Sequence, residues 1–126
     1  MADISQFNIS SAASLVAERF KTSLYFKDGI SAAKFAAMFM MQHCTEPEII
    51  SWVNNTSDPT FDRGGNYYSK GSIDNKIVDA IKAVYPECEI PNQYIRVLMD
   101  KGLVTLGDKI HSLEDLLVFL KEEAKQ

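Results

Sequence analysis

"LVTLGDKIHS", Leu103 to Ser112, is the stretch on which the fold turns. It follows "DKGL" (Asp100–Leu103), which reads as a helix exit with Gly102 at C′ and an apolar Leu103 behind it. The period then changes. The run reads as two short strands joined by Gly107-Asp108, with glycine at the first turn position, as a type II′ hairpin prefers. Leu106 would face Lys109, and Thr105 would face Ile110.

Helices flank this stretch on both sides. Upstream, "PNQYIRVLMDK" starts with Pro91 at the first helical position and turns Tyr94, Ile95 and Leu98 inward. Before it, Ile73, Ile77, Ile81 and Val84 form an apolar stripe that Ser72 caps and Pro86 stops. Downstream, Ser112 caps "LEDLLVFLKEEAKQ", with Leu113, Leu116, Leu117 and Leu120 expected to point inward. Glu114 and Asp115 sit near its positive N-terminal end. From Ser72 onward the order is helix, tight turn, helix, hairpin, helix. That order resembles a winged-helix half, in topology and without any family motif.

The first half adds three helices. Ile9, Ala13, Val16, Phe20 and Leu24 mark one helical face, with Asn8, Ser10 or Ser11 as its cap and "KDG" (Lys27–Gly29) as its stop. A second helix opens at Ser31 and is apolar nearly all round, which predicts a central position. Its Phe35, Met38, Phe39, Met40 and Met41 read as core first and as an adaptable partner groove second. "TEPE" (Thr45–Glu48) is a capping box that opens a short third helix. The expectation is a mainly α fold: a compact helical domain of about six helices with one short C-terminal β-hairpin, winged-helix-like in its second half. It reads as a single domain over 1–126, divisible at most into helical lobes 1–54 and 72–126 joined by loop 55–71.

Composition sets limits on function. The 126 residues are 46% hydrophobic and 24% charged, the proportions of a soluble globular domain. A net charge of −4 argues against a protein whose main work is holding a polyanion. The N-terminus lacks the pattern of a secretory signal, and no apolar run reaches membrane-span length. Cys44 and Cys88 lie far apart and read as reduced thiols, so a cytoplasmic location is expected.

The chemistry-bearing residues are few. His43, Cys44, Cys88 and His111 show none of the usual zinc spacings, so no metal or cofactor is expected. A Cys88–His111 nucleophile and base would have to meet across the fold. The carboxylate pairs Glu87/Glu89 and Glu122/Glu123 read as a loop and a solvated helix end. No catalytic motif is present, and the expectation is a protein that is not an enzyme.

One loop stands out. "SDPTFDRGGNYYSKGS" (Ser57–Ser72) has two adjacent glycines but not the spacing of a phosphate-binding loop. Its aromatics set it apart from a slack Gly/Ser tether. Phe61, Arg63, Tyr67, Tyr68 and Lys70 are the candidate partner-binding residues, since Tyr beside Arg is the composition of binding hot spots. The same aromatics can instead pack back onto the body, or stack on bases. The winged-helix order supplies the alternative: Asn92, Gln93, Arg96 and Lys101 as DNA contacts on the second helix of the pair. Asp100 and Asp108 nearby count against it, because each would repel a phosphate backbone. The functional expectation is a small acidic protein-binding module, an adaptor, regulator or inhibitor; the alternative is a DNA-binding regulator.

Overall fold

The structure is a computed structural model that describes residues 2–55, 57, 62–69 and 71–125. Among these residues the chain runs β1 (Phe7–Asn8), α1 (Ser11–Ser23), α2 (Gly29–His43), α3 (Glu46–Asn54), β2 (Tyr67–Tyr68), α4 (Asn75–Val84), α5 (Pro91–Lys109) and α6 (Leu113–Glu123). The fold is mainly helical, with six helices and one small sheet among the described residues. None of these helices is long and apolar enough to cross a membrane.

α5 is the organising element. Its 19 residues place Tyr94, Ile95, Val97, Leu98, Met99, Leu103 and Leu106 in the core, and α1, α2, α3 and α4 all pack against it. α2 is its principal neighbour, as its apolar circumference predicts, and buries Ala32, Ala33, Ala36, Ala37, Phe39 and Met40. Met38 of the same helix remains exposed.

The expected C-terminal hairpin is not formed: residues 103–109 continue α5 without a break. Gly102 and Gly107, read as a helix exit and a turn, are close-packing positions inside the helix. A side chain at Gly102 would run into the backbone carbonyl of Ala36 on α2. One at Gly107 would lie 2.6 Å from a Val16 methyl on α1. The two glycines are five residues apart, so they open different faces of α5 to different helices. Without the hairpin, the winged-helix order lacks its wing.

α5 begins at Pro91, as its sequence predicts, and both of its ends are satisfied by residues distant in sequence. Ile90, its N-cap residue, makes no side-chain cap. Asp3 caps the helix from the far end of the chain, accepting from the Asn92 N–H at 2.9 Å and the Gln93 N–H at 3.2 Å. At the other end Arg19 of α1 donates to the Gly107 carbonyl at 2.6 Å and the Ile110 carbonyl at 3.1 Å. A carboxylate at the N-terminus and a guanidinium at the C-terminus each complement the helix dipole.

Other caps are local and legible. Ser10 caps α1, the Thr45–Glu48 capping box opens α3, and Ser112 caps α6. Two starts move: Asp28 caps α2 rather than Ser31, and Asp74 caps α4 rather than Ser72. In α6 only Leu116 and Phe119 pack against the core cluster. Leu113, Leu117 and Leu120, expected to face inward, are exposed.

The sheet joins the N-terminus to the long loop. β1 and β2 are antiparallel, with Phe7 opposite Tyr68 and Asn8 opposite Tyr67.

Candidate functional site

The loop residues 62–68 form a ridge docked along β1 and the start of α1. Asp62 organises the turn: its Oδ1 accepts from the Gly64 N–H at 2.8 Å and from the Ser11 N–H at 3.0 Å. Those bonds hold its carboxyl below the ordinary carboxylate range, the Gly64 bond first. Arg63, between them, takes a left-handed conformation with φ 58°. The chain then runs beside β1. Gly65 N–H donates to the Ile9 carbonyl at 2.9 Å, and Ile9 N–H donates to the Asn66 carbonyl at 3.0 Å. Asn8 Nδ2 donates to the Gly65 carbonyl at 3.0 Å, and Asn66 N–H to the Ser14 hydroxyl at 2.6 Å.

Strand alternation then separates the two tyrosines. Tyr68 is 6% exposed, with its ring edge-on to Phe7 at a centroid distance of 6.1 Å. Tyr67 is 55% exposed. Arg63 is exposed as well. Of the five loop residues singled out from sequence, one therefore packs back and two face outward. Phe61 and Lys70 lie outside the described residues.

The ridge borders a cleft of about 240 Å³ whose lining includes Ile4, Phe7, Asn8, Arg63, Gln93 and Arg96. Arg63 from the loop group and Gln93 and Arg96 from the α5 group thus meet in one place. Arg96 is 7% exposed. Burial pushes its guanidinium down to about 10; the like charge of Arg63 acts in the same direction, and Asp100 opposes them. Asn92 and Gln93 hold Asp3 through their backbone, and Gln93 Nε2 donates to the Ala2 carbonyl at 3.1 Å. Lys101 lies on a different face, over the Trp52 ring at 5.7 Å.

Beneath the ridge, Asp100 is 2% exposed and bonded to Ser10. Burial pushes its carboxyl above the ordinary range, opposed by the Ser10 bonds and the Arg96 charge. Residue-by-residue reading missed the roles of Asp62 and Ser14 and the bond between Ser10 and Asp100. "DRGG" carries a signal for the first, because Asp two residues before Gly favours an Asx turn. Ser14 and the Ser10–Asp100 pair act through contacts made across the fold.

The remaining candidates stay apart. Cys88 precedes the N-terminus of α5 and His111 follows its C-terminus, on either side of a helix about 28 Å long. His111 instead approaches the Asp108 carbonyl at 3.2 Å. Both cysteines are free thiols; burial pushes Cys44 up to about 11, and raises Cys88 as well. Among the described residues, no group of three or more His, Cys, Asp or Glu side chains is placed to hold a metal ion. Compared with protein-family models, with curated proteins and with solved structures, the chain matches none.

Proposed function

We propose that this protein is a non-enzymatic protein-binding module, an adaptor, regulator or inhibitor, that meets its partner through the 62–68 ridge. The observation that carries this reading is the outward presentation of Arg63 and Tyr67 on backbone tied to β1 and α1. Tyr and Arg supply much of the energy at protein interfaces, and holding them on an ordered turn lowers the entropy lost on binding. The acidic net charge and the lack of a catalytic motif agree with it. The nucleic-acid alternative has less in its favour. Residues 103–109 are helical, and the Asp3 carboxylate occupies the N-terminal end of α5, where a phosphate would otherwise be held.

A photo-crosslinking amino acid at Tyr67, compared with one at Lys82 on α4, tests the proposal in the native host. The expected result is a defined adduct from position 67 alone, competed by excess unmodified protein and lost with Arg63→Ala. Equal adducts from both positions would refute it. Binding to random duplex DNA at low salt would favour the alternative instead.

A further inference from the structure

α6 carries an observation independent of the ridge. It has 11 residues, and none of them is buried. A helix of that length is marginal in water unless packing holds it. Its inner flank is held lightly: Phe119 meets Phe39 edge-on at 5.3 Å, and Glu123 meets His43 at 3.0 Å. The adjoining flank is apolar and open. Leu113, Leu117 and Leu120 are 42%, 60% and 44% exposed, and Ala124 follows them, also exposed. Steps of four, three and four are the spacing of a coiled-coil seam.

We propose that this seam is a self-association surface, on which α6 of a second copy of the chain packs antiparallel. The charges select that occupant and that orientation. Glu114 and Lys121 each follow a seam leucine and lie on one flank, seven residues apart. Both are exposed, and neither forms an ion pair among the described residues. In an antiparallel pair, Leu117 of one copy faces Leu120 of the other, and Leu113 faces Ala124. The same two-fold axis brings each Glu114 near the opposite Lys121, giving two complementary pairs. A parallel pair would set this flank against Leu116 and Glu123, which are turned toward their own body. The seam is short, and an interface of this size belongs with weak, transient contacts. Dissociation in the range of about 1–100 μM is expected.

Velocity sedimentation from about 5 to about 500 μM tests this on the full chain. The mass should rise toward twice that of the monomer. Leu117→Glu, an exposed position, should remain monomeric with an unchanged melting curve. Glu114→Lys and Lys121→Glu should each be monomeric alone, while their equimolar mixture dimerises, because only the mixed pair restores both charge contacts. That rescue keeps the test decisive even if Leu117→Glu fails to fold, since a merely damaged helix is not repaired by mixing. A monomer at every concentration, a Leu117→Glu variant that pairs like its parent, or a mixture no better than its components would overturn the proposal. So would a seam that binds a different protein while the chain remains monomeric.

Discussion

The carboxylate of Asp100 accepts two hydrogen bonds from Ser10, one from its backbone N–H at 2.9 Å and one from its hydroxyl at 2.7 Å. The same hydroxyl accepts from the Ala13 N–H at 3.1 Å. A buried acid on α5 therefore positions the N-cap of α1, 90 residues away in sequence. Asp100→Ala leaves the Ser10 donors buried without their acceptor and removes a charge beside Arg96. The expected cost is about 2–4 kcal/mol by denaturant unfolding. Asp100→Asn retains an acceptor for the backbone N–H and should cost less.

Burial raises Asp100 above its ordinary value of 3.8. A carboxyl raised by folding favours the native state most when it is protonated. Its contribution is complete below the unfolded value and is lost as pH rises through the folded one. The stability gap between the parent and Asp100→Asn should therefore narrow from about pH 3 toward neutrality. Asp28 and Asp74 are lowered, chiefly by Ser31 and Lys34 respectively, and contribute in the opposite sense. Urea midpoints of parent and variant across that range separate the two effects, and a gap that widens with pH would contradict the assignment.

Gly102→Ala distinguishes packing from helix propensity. Alanine in an exposed helix interior would gain about 1 kcal/mol over glycine. Here the added methyl meets the Ala36 carbonyl, so α2 and α5 must separate. Thermal unfolding should show a net loss of about 2 kcal/mol or more.

Asp3→Ala removes the only carboxylate seen capping α5 among the described residues. The expected loss is about 1 kcal/mol. Hydrogen exchange should quicken at the Asn92 and Gln93 amides before it changes elsewhere in α5.

The two adjacent tyrosines should behave oppositely. Tyr68→Ala empties a buried site against Phe7 and should destabilise the protein by about 3 kcal/mol. Tyr67→Ala should leave the melting temperature nearly unchanged and weaken partner binding.

Much of the helical framework was legible because its signals are local. Ser10, Thr45 with Glu48, Pro91 and Ser112 mark helix starts through bonds or ring geometry that span a few residues. The apolar circumference of α2 foretold its place beside the central helix. The ridge was only half legible. Its aromatics flagged it, but which tyrosine faces inward depends on pairing with β1, nearly sixty residues earlier. In α6 the leucines occupy more of the circumference than the body covers, and spacing alone does not say which of them are left outside.

Local sequence thus determined a helical chain, most of its caps and the existence of an aromatic loop. Tertiary structure alone decided the length of α5. Gly102 and Gly107 carry the local chemistry of a helix end and a turn, and in isolation glycine weakens a helix. Within the fold their missing side chains let α2 and α1 pack closely, while Asp3 and Arg19 satisfy the helix ends from a distance. The packing gained along "LVTLGDKIHS" outweighs the propensity lost there, and the stretch stays helical.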